Sequence, residues 1–312
     1  VRTVFMGTPQ FAATILEALL HSSCQVLAVY TQPDKPAGRG RPVVVPPVKK
    51  LALERQIPVV QPEALKSSNA VDKLVSLQPE LIVVAAYGAM LPTEVLFLPK
   101  FACLNVHPSL LPRHRGPSPV AYTILCGDEL AGVTIMLMDA GMDTGPILAQ
   151  EKAGISFMDT TGLLSAKLAD AGGRLLLETL PKWLNREVKP QVQDETQATY
   201  SKLISSEDAE IDWHLSADEL WRRIRAYNPW PISYTWYNGK RLRIHRSIHF
   251  ANAAEGEIGE VIALQESPGV GVVTGDGILG LYQVQLEGKR EMPIEDFMRG
   301  QRDFVGCVLG QR

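Results

Sequence analysis

Short, nearly uninterrupted apolar runs recur along the first half of the chain, separated by stretches of helical period. Thr3 to Met6 predicts a first strand, Phe11 to His21 a helix and Val26 to Tyr30 a second strand. Ile57 to Val60, Leu81 to Ala86, Leu104 to Val106 and Val133 to Met138 predict further strands, with helices over Lys49 to Gln56, Asn69 to Gln78 and Thr160 to Leu180. Gly7-Thr8-Pro9 turns the first strand into its helix, with Thr8 placed to cap and Pro9 at the first helical position. Strands apolar on both faces, alternating with helices, predict an α/β domain: a Rossmann-like, mainly parallel sheet with helices on both faces. Ligands of such sheets gather at the carboxyl ends of the strands.

The pattern changes near residue 188. From Val188 to Leu203 the chain is polar and has neither period, which predicts a linker along the surface. Beyond it, Ser216 and Glu219 form a capping box ahead of a helix that ends at Asn228-Pro229-Trp230-Pro231. Tyr234 to Tyr237 and Leu242 to Phe250 flank Asn238-Gly239 as a hairpin, and Glu260 to Leu264, Gly271 to Thr274 and Leu279 to Leu286 predict more short strands. The expected organisation is a larger domain over 1–188, a linker over 189–207 and a small β-barrel, oligonucleotide-binding-like, over 208–312.

With 46% hydrophobic side chains in 312 residues, the chain can bury two cores, and disorder is excluded for the bulk of it. Cys24, Cys103, Cys126 and Cys307 form no CxxC pair and are expected as free thiols in a reducing compartment. With no apolar run of spanning length and no secretory signal, a cytoplasmic location is expected. A net charge of −3 argues against a generally basic coat, but the cations are clustered. Lys35, Arg39, Arg41, Lys49 and Lys50 share a segment with one acid, Asp34; Arg222, Arg223, Arg225, Lys240, Arg241, Arg243 and Arg246 lie between Trp213 and Phe250. Two basic segments suggest one extended anionic ligand, with two solvated faces as the plain alternative.

No G-x-G-x-x-G turn and no Walker loop is present, which argues against dinucleotide and kinase-type sites. Two polar residues stand out instead. Asn105 and His107, at i and i+2 in a strand, share a face while Val106 points to the other. An amide that donates without titrating, beside an imidazole that exchanges protons near neutral pH, suits a carbonyl becoming tetrahedral. Asp143, in the glycine-flanked loop 138–145, would accept a proton or hydrogen bond from His107 or a water. No serine or cysteine is placed as a nucleophile, favouring direct transfer between two bound substrates. Taken singly, Asn105 can be a cap, His107 a strand-end residue and Asp143 a turn carboxylate; only convergence in space joins them.

After His107, Ser109-Leu110-Leu111-Pro112 makes an apolar bend able to wall a flat aromatic ligand, with the amides around Tyr87-Gly88 adding directional bonds. Pro33 to Pro42 is a basic arm with Gly and Pro, suited to phosphate. Along Lys240 to Phe250, alternation puts Arg241, Arg243, His245, Ser247 and His249 on one face, a cationic ribbon.

These residues carry a resemblance. Gly7-Thr8-Pro9, the 31–49 segment, Asn105-Val106-His107-Pro108-Ser109-Leu110-Leu111-Pro112, Arg115-Gly116, Asp139 to Gly145 and Asn228-Pro229-Trp230-Pro231 resemble the folate-dependent formyltransferases over essentially the whole chain. The resemblance implies that 10-formyltetrahydrofolate donates a formyl group to the α-amino group of methionyl initiator tRNA. It places Asn105 and His107 at the formyl oxygen and Asp143 in proton transfer. Tyr87, Gly88, Ser109, Leu110, Leu111, Pro112 and Asp139 are then expected around the folate, and Lys35, Arg39, Arg41, Arg241, Arg243 and His245 along the nucleic acid. No metal, DNA or membrane is implied, and a monomer is expected.

Overall fold

The structure, a computed structural model, describes residues 1–36, 43–65, 67–252 and 255–311. Contacts divide the chain into two compact units. The first takes Val1–Pro119, Glu129–Ile155 and Leu164–Lys202, and the second takes Val120–Asp128, Ser156–Leu163 and Leu203–Arg312.

The strands of the first unit are β1 (Arg2–Gly7), β2 (Gln25–Tyr30), a short pair β3 (Lys35–Pro36) and β4 (Val43–Val44), β5 (Val59–Val60), β6 (Leu81–Ala85), β7 (Cys103–His107), β8 (Leu130–Leu137) and β9 (Ile147–Gly154). The main sheet has the order β5-β2-β1-β6-β7-β8-β9. β5, β2, β1, β6 and β7 pair in parallel, as continuous apolar strands should, and β8 and β9 add on antiparallel. β9 escapes the sequence pattern because it is a half-exposed edge, Ile-Leu-Ala-Gln-Glu-Lys-Ala-Gly, whose polar residues are what an edge tolerates.

The helices of the chain up to residue 184 are α1 (Gln10–Leu20), α2 (Pro47–Glu54), α3 (Ser68–Ser76), α4 (Thr93–Leu96), α5 (Pro119–Leu125) and α6 (Thr161–Leu184). Val4, Met6, Ile82, Val84 and Cys103 form a core with Leu74 of α3 and Val95 of α4. On the opposite face Val106 and Val133 meet α6 at Gly172, where a Cβ would come within 2.9 Å of the Val106 Cγ1 and 3.1 Å of Ile15 in α1. The Gly172-Gly173 step, costly for helix propensity, thus permits close approach of helix and sheet. Thr8 departs from expectation: Pro9 occupies the cap position without a side-chain bond, and the Thr8 hydroxyl donates to the Tyr87 carbonyl at 3.0 Å. The neighbouring strand end offers that hydroxyl a fixed acceptor, so α1 starts uncapped.

The second unit carries α7 (Ala217–Ala226), β10 (Tyr234–Tyr237), β11 (Lys240–Phe250), β12 (Val261–Ala263), β13 (Val270–Val273), β14 (Ile278–Leu286), β15 (Met292–Pro293) and α8 (Ile294–Gly300). The strands form an antiparallel sheet, β10-β11-β14-β13-β12 with β15 on β14, curled as a half-barrel. Its core joins Trp221 and Ile224 of α7 to Leu242, Ile244, Val272, Leu281 and Phe304. The Ser216 hydroxyl accepts from the Glu219 amide at 3.2 Å, and Asn238 and Gly239 take the positive φ that the hairpin requires. No described helix is long and apolar enough to cross a membrane.

Candidate active site

β7 ends at the site. Its alternation sends Cys103, Asn105 and His107 to one face, and the loop after β8 brings Asp143 to meet them. The Asn105 Nδ2 donates to Asp143 Oδ1 at 3.3 Å, and His107 Nδ1 stands 3.6 Å from the same oxygen. The other carboxylate oxygen accepts from the Gly116 amide at 2.8 Å. His107 Nε2 lies 3.1 Å from the His114 carbonyl, and a carbonyl can only accept, so this nitrogen carries the hydrogen. In the neutral ring Nδ1 therefore bears the lone pair, directed to the Asp143 side. Neutral His107 thus cannot donate to Asp143 as expected from its type alone; only the imidazolium can.

Asp143 (φ 55°) and His114 (φ 56°) both adopt the left-handed conformation. Such backbone persists where its surroundings over-determine it, and here both residues aim groups at His107. Gly116 (φ 105°) is required at its position: a Cβ would come 2.7 Å from the Ser201 carbonyl, while its amide is needed by Asp143.

The support comes from a segment expected to be a featureless surface linker. Gln193 and Ser201 are buried. The Gln193 amide donates to the backbone carbonyls of Asp143 and Gly145 at 2.8 and 2.7 Å, and its oxygen accepts from Arg115 Nη2 and Nε at 2.8 and 3.0 Å. Arg115, fully buried, also pairs with Glu195 at 2.7 Å and bonds the Tyr200 hydroxyl. The guanidinium's hydrogen bonds hold the Glu195 carboxyl below its ordinary range, and Glu195 raises Arg115 in return. Sequence reasoning missed Gln193 because a single polar residue in an aperiodic stretch carries no signal of what lies beside it. Cys103, two residues before Asn105, is no nucleophile: burial pushes its thiol up to about 12 and it faces the Val95 and Leu96 carbonyls.

The residues expected around a folate lie at this strand end, with several of their polar groups engaged in shaping the loops. The Ser109 hydroxyl donates to the Arg113 carbonyl, and Thr134 accepts from the Leu111 amide and donates to the Ser109 carbonyl. The Leu111 carbonyl accepts from Gln150, so β8 and β9 pin the bend through Thr134 and Gln150, two residues absent from the sequence reading. Leu110 packs on Gly132, and Leu111 is buried before Pro112. Tyr87 is buried, with its hydroxyl pushed up to about 12 by desolvation, and Gly88 takes φ 85°. Asp139 accepts from the Gly141 amide and the Thr144 hydroxyl, closing the turn before Asp143.

Of the residues expected along a nucleic acid, Arg39 and Arg41 lie outside the described residues, and Lys35 begins β3 opposite Val44. Arg241 and Arg243 are exposed on β11, with Arg241 over the rings of Tyr234 and Trp236. The single-faced ribbon is corrected by an irregularity between Ile244 and Ser247 that breaks alternation and buries Ser247. The ring nitrogens of His245 face Gln285 at 3.2 Å and Glu291 at 3.4 Å.

An amide, an imidazole and a carboxylate converging at the end of a doubly covered sheet are groups that acyl transfer between a bound donor and a bound acceptor can use. The chain belongs to the formyl transferase family and is an enzyme of formyl transfer. The family model for formyl transferase matches residues 1–180, and that for the formyl transferase C-terminal domain matches residues 203–302. A methionyl-tRNA formyltransferase of Dehalococcoides mccartyi is 46% identical over 310 residues, covering 99% of this chain and 98% of the relative. One of Pseudoalteromonas translucida is 41% identical over 315 residues, covering 100% and 98%. Among solved structures, the sugar 3N-formyl transferase WlaRD, with dTDP and 5-N-formyl-THF, matches with a TM-score of 0.65 at 20% identity, over 93% of this chain and 99% of that one. HypX from Aquifex aeolicus in complex with tetrahydrofolic acid matches with a TM-score of 0.63 at 19% identity, over 97% of this chain and 48% of HypX. At these identities the likeness is one of fold.

Proposed function

We propose that the enzyme moves the formyl group of 10-formyltetrahydrofolate to the α-amino group of methionine esterified to initiator tRNA, with Asn105, His107 and Asp143 as its catalytic residues. The acceptor is supported by relatives of that name matching along the full chain. The chemistry is carried by one observation: His107 Nδ1 and Asn105 Nδ2 converge on one oxygen of Asp143.

An α-amino group with a pKa of about 8 is partly neutral at physiological pH, so its lone pair can attack the formyl carbon. His107 Nδ1 takes the amine proton, directly or through water, and Asp143 beside it stabilises the resulting imidazolium. The second hydrogen of the Asn105 amide is available to the oxygen that gains charge. The newly protonated Nδ1 becomes a donor only at this stage, which favours the transition state over the starting carbonyl. His107 then returns the proton to N10 as the carbon–nitrogen bond breaks, leaving the amide and tetrahydrofolate with protons balanced. The 109–112 bend and the Tyr87-Gly88 turn hold the donor in this reading, and Asp139 fixes the loop that presents Asp143. Arg241 and Arg243, with Lys35, Arg39 and Arg41 of the arm, meet the tRNA backbone.

Formyl-labelled 10-formyltetrahydrofolate supplied with methionyl initiator tRNA, elongator methionyl-tRNA and uncharged initiator tRNA tests this. Label is expected on the first acceptor; label on free methionine or a small amine in preference to it would overturn the tRNA assignment.

A further inference from the structure

The second unit contains a cavity of about 410 Å³ bounded by the run 157–163, α7, the Asn228-Pro229 turn and β11. Among the described residues its titratable lining is Arg225, His245 and Arg246, with no carboxylate. Asp159 and Asp218 act on Arg225 from outside that lining, and Glu291 faces His245.

Among the described residues, two lining groups are buried without a partner: the Arg225 Nε and the hydroxyl of Ser247, whose residue is only 8% exposed. Arg225 lies over Trp221, 3.5 Å from the ring centroid to Cζ, and its guanidinium donates to the Asp159 carbonyl at a long 3.3 Å. Desolvation pushes this guanidinium down to about 10, the mark of a cation whose burial is incompletely compensated. Buried polar atoms in native proteins are nearly always satisfied, so two in one cavity call for an occupant. The cavity's lip is the opposite in character. Phe157, Met158 and Leu163 each leave about half their surface in water, at 48%, 47% and 55%, and Phe157 continues an aromatic stack through Trp221, 4.4 Å away, to His249.

We propose that this cavity binds a single nucleotide, its phosphate taken by Arg225, Arg246 and the Ser247 hydroxyl and its base laid on the Phe157, Met158 and Leu163 lip. An inorganic anion would leave the lip in water, and an uncharged apolar ligand would leave Arg225 and Ser247 unpaired. The volume suits a ligand of this size. The source is either a free nucleoside monophosphate or an unpaired nucleotide of an RNA. The inference rests on no step of formyl transfer, and a binding measurement can fail or succeed independently of turnover.

Equilibrium titration of the full-length protein with AMP, CMP, adenosine and inorganic phosphate, at matched ionic strength, reads the site directly. One AMP or CMP per chain is expected, bound more tightly than adenosine or phosphate. Arg246→Gln, an exposed position, and Ser247→Ala should each weaken AMP about five- to tenfold, the usual scale of one buried or charge-assisted hydrogen bond. Phe157→Ser should weaken AMP but not phosphate, and Arg299→Gln, exposed and outside the cavity, should change nothing. AMP that displaces a single-stranded oligoribonucleotide from the wild type but not from Arg246→Gln identifies RNA as the source. AMP bound without displacement identifies the free nucleotide. The inference is overturned if no nucleotide or RNA binds, leaving water to satisfy both buried atoms, if phosphate binds as tightly as AMP, or if binding is insensitive to Arg246 and Ser247.

Discussion

In the proposed reaction, the tautomer of His107 divides the work among Asn105, His107 and Asp143. Because Nε2–H is held by the His114 carbonyl, Nδ1 is the atom that would accept and return the proton in the proposed reaction, with Asn105 as the donor to the formyl oxygen. Asn105→Ala is therefore expected to lower kcat about 10²- to 10³-fold with little effect on folding, the scale of one lost oxyanion donor. His107→Ala and Asp143→Asn should each be at least as severe. Single-turnover formylation at near-normal rate by all three variants would remove the site. Asp143→Asn is the sharpest of them, since it keeps the shape and removes the charge beside the imidazolium.

At the scale of elements, the site is a strand end and a loop held together by a distant strap. Gln193 reaches Asp143 across 50 residues and is itself gripped by Arg115. Gln193→Glu retains an acceptor for Arg115 but faces the Asp143 and Gly145 carbonyls with oxygen, so it should fare no better than Gln193→Ala. Both should lower kcat about tenfold to 100-fold through misplacement of Asp143, with a smaller change in KM, while thermal unfolding stays cooperative. A pure KM effect would show that the strap serves binding alone. The strand–helix alternation, the N-cap at Ser216 and the Asn238-Gly239 hairpin were legible in the sequence because each depends on residues close together in the chain, and continuous apolar strands between helices implied parallel pairing. β9 and the β11 irregularity were not. The first is an edge without an apolar pattern, and the second is a slip in register set by the partner strand, β14.

Across the whole molecule, buried acids of high pKa set an alkaline limit. Burial pushes the Tyr30 and Tyr87 hydroxyls and the Cys103 thiol each up to about 12, Tyr87 also raising Tyr30. Each group is raised above its unfolded value, so its contribution is intact below that value and is lost as pH climbs toward 12. Denaturant midpoints should fall from about pH 9 to 12, and Tyr30→Phe and Tyr87→Phe should blunt the fall. Parallel curves for wild type and both variants would contradict this. If Arg241 and Arg243 meet tRNA phosphates, replacing both with Gln should reduce the log–log salt slope of tRNA binding by about 2, one per cation. An unchanged slope would place the tRNA elsewhere.

Sequence alone determined the fold class and the common face of Asn105 and His107, because periodicity in a strand is a local property of the backbone. It named Asp143 as a partner without locating it. Tertiary structure decided which nitrogen of His107 faces Asp143, that Gln193 and Arg115 hold the loop, and that Ser247 and Arg225 line one cavity. These depend on hydrogen bonds and burial between residues far apart in the chain, and no spacing along the sequence encodes where a carbonyl or an unpaired hydroxyl will come to rest.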